Sequence, residues 1–347
     1  MNDSSEPKPK RRVRYKGKHP RKFSEKYKEL NPEKYQKDLQ KVIERGATPV
    51  GTHRPVCVDE ILEILKPKPG DKALDATLGF GGHSQEILKR ILPKGRLIAL
   101  DQDPIERPKT EARLRALDFP EKSLVIGSIN FREAKNFLKV NKLGKMDLVL
   151  ADLGLSSMQI DNPDRGFTFK QDGPFDLRMN PSRGQPASAL LKELDQETLQ
   201  EMLIENSDEP HARQIAAALV KYKPQTTLLV AKVVRDVVKT FSAKVRENEG
   251  NTPIKRVFQT LRIAVNEEFE ALDQFLEELP DFVERGGRIA ILSFHSGEDR
   301  RVKKAFQAGH RTGVYSQVAP EFIRPSFEEQ RANPRAAPAK LRWAIRS

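Results

Sequence analysis

A single cysteine, Cys57, stands in 347 residues. It cannot form an intrachain disulfide, and its setting in PVCVDEIL gives it the character of a small buried hydrophobe rather than a reactive thiol. Such sparse use of cysteine fits a reducing, cytoplasmic compartment. No window approaches the roughly 18 consecutive apolar residues of a membrane-spanning helix, so no membrane partner is expected. The polar, basic N-terminus has no apolar h-region, which argues against a secretory signal. No His/Cys cluster has ligand spacing, so no structural or catalytic metal is expected. Ser156 and Ser157 lack the G-x-S-x-G setting of a hydrolase nucleophile, and no internal repeat is apparent.

Negative charge is the other scarcity, and it is local. The formal net charge is +13. Residues 1–50 hold 15 Lys/Arg against 7 Asp/Glu, a net of +8, which leaves +5 for the other 297 residues. A basic arm of this kind suggests an anionic partner, nucleic acid above all. Residues 1 to about 22 have almost no aliphatic side chains and should not fold alone; one or two short helices are expected over 23–45 around Asn31-Pro32, with a linker at 46–52.

The informative stretch is Lys72–Ser84, KALDATLGFGGHS. A short apolar run ends in Asp75 and passes through Gly79, Gly81 and Gly82 into a helical pattern, which reads as strand, tight loop, helix. Glycines let backbone approach a ligand closely, and the helix's first turn offers unpaired N–H groups. A second strand-like run, GRLIALD, ends at Asp101, 26 residues past Asp75, where a Rossmann-type unit places the acid that holds ribose hydroxyls. The ligand is therefore expected to be a ribonucleoside. The dinucleotide fingerprint G-x-G-x-x-G lacks its third glycine here. The D-x-x-x-G-x-G-G pattern suits S-adenosylmethionine, leaving a dinucleotide enzyme as the alternative.

Further strands are expected at 123–127, at KMDLVLAD ending in Asp152, at about 288–294 and at LRWAIR, with helices between them. That alternation predicts a doubly wound, mostly parallel α/β sheet with ligands at the strands' carboxyl ends, where Asp75, Asp101, Asp152, His295 and Ser296 fall. Residues 154 to about 185 are too long for an ordinary connection. In them Arg165, Arg178 and Arg183 are interleaved with Phe167, Phe169 and Phe175, a mixture suited to phosphate contact and base stacking. From Ala187 to about Phe241 the pattern is helical throughout. The expected organisation is a basic, largely disordered extension (1–50), a catalytic domain in two pieces (51–158 and 253–347), and an inserted Arg/Phe loop with an all-helical domain (159–252).

Eight blocks, HRPVCVDE, DATLGFGGHS, ALDQDP, ADLGLSSMQIDNPDRGFTFKQDGPFDLRMNPSRGQ, EPHARQIA, RVFQTLRIAVNEE, GGRIAILSFHSGEDRRVK and NPRAAPAKLR, resemble in order and spacing the bacterial 16S rRNA cytosine-N4-methyltransferases. The resemblance covers about residues 50 to 347 and implies a class I, Rossmann-like methyltransferase fold with a helical insert, S-adenosylmethionine as donor, and a decoding-centre cytidine of 16S rRNA in the 30S subunit as acceptor. It leaves room for a homodimer. It assigns Gly81, Gly82 and His83 to the methionine and ribose side of the cofactor, Asp101 to the ribose, Phe131 to the adenine, Asp152 and Gln159 to further cofactor contacts, and Asp75 to the amino acid end. Four features depart from the usual pattern: the first 50 residues have no counterpart, HRPVCVDE stands for HTxVLLDE, Gly297 for a leucine, and NPRAAPAKLR lacks the second arginine of NPRARSAKLR.

Methyl transfer from a sulfonium is an in-line displacement in which alignment is most of the task. The exocyclic amine of cytosine has its lone pair delocalised into the ring, so acceptors on its N–H groups are needed. DNA amino methyltransferases place Asn/Asp-Pro-Pro-aromatic there; this chain has Asp152-Leu153-Gly154-Leu155. The expected acceptors are the Asp152–Ser157 loop, carbonyls included, with His295 near the base, which makes Asp152 and His295 the candidate catalytic residues. A DNA amino methyltransferase should carry the missing motif, and a non-enzymatic RNA-binding assembly factor should have lost the glycine loop or Asp101.

Overall fold

The structure is a computed structural model that describes residues 55–347. The basic arm and the short helices expected over 23–45 lie outside the described residues. The chain opens on α1 (Val58–Leu65) and then alternates: β1 (Lys72–Asp75), α2 (Gly82–Ile91), β2 (Arg96–Leu100), α3 (Arg107–Arg115), β3 (Leu124–Gly127), α4 (Ala134–Val140) and β4 (Met146–Asp152). The excursion that follows holds α5 (Ser157–Asp161), α6 (Ala187–Glu193), α7 (Gln196–Ser207), α8 (Ala212–Tyr222), α9 (Thr227–Lys239), α10 (Ala243–Glu249) and α11 (Thr252–Asn266). The chain returns through α12 (Glu268–Phe282) to β5 (Val283–Ser293), α13 (Ser296–Arg311), β6 (Tyr315–Val318), α14 (Phe327–Ala332) and β7 (Lys340–Arg346).

Among the described residues the strands form one seven-stranded sheet in the order β3-β2-β1-β4-β5-β7-β6. β1 to β5 are parallel, whereas β7 runs antiparallel between β5 and β6. β7 is the strand expected at LRWAIR, though its reversed direction was not read from the sequence; the short β6 was not expected, because a four-residue edge strand carries no clear period. Alternate residues of each strand enter opposite cores, as the pleat demands. Leu74, Ile98, Val149 and Ile289 pack with α4, α12 and α13 on one face. Ala73, Leu97, Leu148 and Ala290 pack with α1, α2 and α3 on the other. With both faces covered, the open places are the strand ends.

The helical insert has its own core, and this corrects two expectations. Phe167 and Phe175 are buried in it, Phe175 with no exposure and edge-on to Phe258 at 5.1 Å; Phe169 meets the same ring at 5.6 Å. These rings stabilise the insert, and the buried Phe167 and Phe175 are not available to stack on bases, whereas Phe169 is half-buried. Ile254, Val257, Phe258 and Leu261 of α11 complete the same cluster, so the boundary expected at 252 falls too early. An aromatic beside an arginine reads alike in sequence whether it faces RNA or a helix packed on it.

Candidate active site

The β1–α2 turn is set by its acids and glycines. Gly81 caps α2 at φ 77°, a left-handed conformation that a side chain resists; a Cβ there would also lie 3.0 Å from Thr110. Gly79 sends its N–H to Asp101 Oδ2 at 2.9 Å, and its carbonyl accepts from the Thr110 hydroxyl at 2.6 Å. Asp75 is 1% exposed and accepts from the Ser84 hydroxyl at 2.6 Å and the Thr77 N–H at 3.1 Å. Burial raises its carboxyl above the ordinary range despite those bonds. Thr77 also accepts the Asp152 N–H at 2.6 Å, tying the first and fourth strand ends together.

These elements border one cavity of about 820 Å³. Gly79, Gly81, Gly82, His83, Asp101, Phe131, Asp152 and Gln159 line it. Asp75 does not: its carboxylate is spent on holding the turn, so the structure gives it a supporting place rather than a cofactor contact. Asp101 accepts the Asp103 N–H at 2.8 Å on its other oxygen. Burial, with the negative Asp103 and Asp75 nearby, pushes its carboxyl up to about 6. Phe131 meets Phe275 edge-on at 5.3 Å while still facing the cavity. Gln159 reaches it from a capping box, its Oε1 accepting the Ser156 N–H at 2.9 Å and its amide donating to Asp103 at 2.8 Å.

The cavity is also lined by Lys255, Arg262, Glu268, Phe294, Glu298, Asn333, Arg335 and Ala337. His295 is not among the lining residues. It occupies the N-cap position of α13 without a side-chain capping bond; its ring stands 5.8 Å from Phe269 and places Nε2 3.1 Å from Glu298 Oε1. The direct role expected of His295 is therefore withdrawn in favour of a place behind Glu298, the only one of the pair that faces the cavity. Glu298, 3% exposed, accepts the Phe294 N–H at 2.8 Å. Although burial raises it, His295, Arg262 and that N–H together hold its carboxyl below the usual range. Gly297 fits this corner because a Cβ would sit 2.5 Å from Phe269, which accounts for glycine where a leucine is usual. Ala337, the site of the missing arginine, lines the cavity; Arg335 is paired with Asp161 at 2.6 Å.

The three arginines expected at RNA separate. Arg165 is 5% exposed, paired with Asp103 at 2.8 Å, and cannot reach a phosphate without giving up a buried ion pair. Arg178 is held on both oxygens of Asp176, at 2.8 and 2.7 Å. Arg183 is exposed, with 67% of its side chain open to solvent. Sequence reading missed Asp103, Thr77 and Thr110. Asp103 was legible, since D-x-D before a proline and a helical run is a capping signal: its Oδ1 accepts the Ile105 and Glu106 N–H groups. Cys57 is fully buried, and burial plus Glu60, Glu329 and Asp152 push its thiol up.

Four buried polar atoms of cavity-lining residues have no hydrogen-bond partner among the described residues, Oδ1 of Asp152, Nε2 of His83, Oε2 of Glu106 and Nη1 of Arg335, and His83 Nε2 lies 3.6 Å from Asp152 Oδ2. A cationic amino acid group supplies the donors that Asp152 lacks, and a ribose diol supplies two for Asp101. The residues thus fit S-adenosylmethionine. A sheet whose last strand enters antiparallel between β5 and β6, with this acid after β2, defines a class I S-adenosylmethionine-dependent methyltransferase. Residues 51–347 match the profile of the MraW methylase family, and the chain belongs to that family. It is 51% identical to "Ribosomal RNA small subunit methyltransferase H 2" of Alkaliphilus metalliredigens, over 99% of this chain and 100% of that one. It is also 51% identical to "Ribosomal RNA small subunit methyltransferase H 1" of Lachnoclostridium phytofermentans, over 99% and 95%. The family profile starts at residue 51, so the first 50 residues lie outside the usual family pattern, as expected; both alignments take in nearly the whole chain, so these two relatives carry counterparts of the basic arm.

Proposed function

We propose that this chain methylates the exocyclic N4 amine of a decoding-centre cytidine of 16S rRNA, acting in the cytoplasm on the 30S subunit. The observation that carries the reading is a single cavity lined both by Asp101, the acid placed for a ribose, and by Phe294, Lys255 and Arg335. Pockets for one ligand run to about 300–1,000 Å³, and at about 820 Å³ this one has room for a nucleoside cofactor and part of a flipped base. The names of the relatives direct the choice of nucleic acid to small-subunit rRNA.

S-adenosylmethionine, when bound, supplies an electrophilic methyl group on a sulfonium. Asp101 and Phe131 hold its nucleoside end, and the Gly81–His83 turn with Asp152 holds its amino acid end. β4 lies between β1 and β5 in the sheet, so the Asp152–Ser157 loop stands between the cofactor and Phe294. From there the Asp152 carboxylate and the loop carbonyls accept hydrogen bonds from the amine, localising its lone pair as the methyl arrives. Glu298 and Arg262 form the wall behind the base. Removing a base from structured RNA costs a few kcal/mol, which the cationic mouth and the basic arm offset through phosphate contacts. Sedimentation velocity reads whether a homodimer forms.

The test is incubation of the full chain and its Asp152→Asn variant with labelled S-adenosylmethionine and, separately, 30S subunits, free 16S rRNA and DNA, followed by nucleoside mass spectrometry. N4-methylcytidine in 16S rRNA, lost in the variant, is the expected result. Label in DNA, or at another atom of the base, refutes the reading.

A further inference from the structure

Met179 belongs to the arm that leads into the insert, yet it lines the cavity beside the cofactor end. Its main chain is held from two sides. The Met179 N–H donates to Asn266 Oδ1 at 2.7 Å, and its carbonyl accepts from Arg165 Nη2 at 2.8 Å. Its sulfur accepts from Gln102 Nε2 at 3.3 Å, and Gln102 is the residue after the ribose acid. The other end of Arg165 grips Asp103 at 2.8 Å, with both side chains almost wholly buried. Asp103 in turn sends its N–H to Asp101 Oδ1 at 2.8 Å. One run of short contacts therefore joins the ribose acid, through Asp103 and Arg165, to the backbone of a residue on the RNA-facing arm.

A buried ion pair is a poor source of stability, because desolvation offsets most of the attraction. What it specifies is geometry. Asp103 offers its remaining oxygen to both Arg165 and Gln159, and the Arg165 fork also takes the Arg178 carbonyl at 3.2 Å. Two points on the excursion that leaves β4, Gln159 and Arg165, are thus pinned to Asp103 in the loop after β2. On the outer side of the same arm Arg183 is open to solvent, four residues past Met179.

We propose that Met179 is a wall of the cofactor site contributed by the RNA-binding arm, positioned by the Arg165–Asp103 pair, so that cofactor and RNA each tighten the other's binding. The inference rests on the function proposed above. Cofactor on Asp101 fixes the Asp103 loop and with it the arm; RNA on the arm fixes Met179 against the cofactor. Met179 and Arg165 are positioning residues and take no part in the chemical step. Linkage makes the effect reciprocal, with couplings commonly of about 5- to 150-fold.

The experiment measures binding of S-adenosylhomocysteine to the full chain by calorimetry, with and without a decoding-region fragment of 16S rRNA, and binding of that RNA with and without S-adenosylhomocysteine. The wild type should show one coupling factor of about tenfold in both directions. Met179→Ala should bind RNA alone as the wild type does, bind S-adenosylhomocysteine several-fold less tightly, and lose the coupling. Arg165→Lys, which keeps the charge but cannot span Asp103 and both carbonyls, should lower the coupling factor as well. A coupling factor of one in the wild type, or the same factor in Met179→Ala, overturns the inference while leaving the cofactor site intact. A wild type that binds no S-adenosylhomocysteine overturns the proposed function and the inference together.

Discussion

Asp101→Asn tests the cofactor end most directly. Two backbone donors converge on this carboxylate, Gly79 on Oδ2 and Asp103 on Oδ1, and each oxygen keeps a second lone pair for a ribose hydroxyl. An amide cannot reproduce that arrangement, since in either orientation its NH₂ faces one of the two N–H groups and one acceptor is lost. A hydrogen bond to a charged group contributes about 1.5–3 kcal/mol, so the dissociation constant for S-adenosylhomocysteine should rise about 10- to 150-fold. The pH profile gives a second reading. With the carboxyl at about 6, ribose hydroxyls select the ionised form, so wild-type affinity should climb with pH up to about 6 and then level. Tenfold per unit below the pKa makes binding about tenfold weaker at pH 5 than at pH 7. The variant should be flat over that range. The folded value also lies above the ordinary 3.8, so the folded chain holds more protons than the unfolded one between about 4 and 6. This carboxyl's contribution to stability therefore falls as pH rises through that window and is constant beyond it. Calorimetric titration from pH 5 to 7.5 is the assay. A pH-independent wild type, or a variant with wild-type affinity, would refute the reasoning.

Two further outcomes follow from the insert. Phe175→Ala empties a site with no exposure at the junction of arm and helices, and should cost about 3–5 kcal/mol, measured by urea unfolding; a loss under about 1 kcal/mol would mean the ring is not part of a packed core. Arg183→Ala should weaken RNA binding a few-fold, lower the salt slope of binding by about one and leave S-adenosylhomocysteine affinity unchanged, since its pairing with Glu133 is long, at 3.8 Å; an unchanged salt slope would remove it from the RNA surface.

The sequence by itself determined the α/β alternation, the glycine turn and the acids at three strand ends, because these depend on local chemistry: period-two burial, tight turns and helix starts are written within about ten residues. It also marked an insert after β4. Motif resemblance brought in Phe131 and Gln159, which no local signal singles out, and both line the cavity. What tertiary structure decided is where each charge goes. Arg165 and Arg183 are alike in sequence, but one lies beneath the arm against Asp103 and the other faces solvent. Asp75 and Asp101 each end a strand, but Ser84 and Thr77 occupy the first, leaving only the second to face the cavity. His295 ends β5 as expected, but the turn into α13 sets it behind Glu298. Which face of a loop a side chain takes depends on contacts far apart in sequence, 89 residues between Asn266 and Leu177 and 174 between Arg335 and Asp161, and no local pattern carries that information.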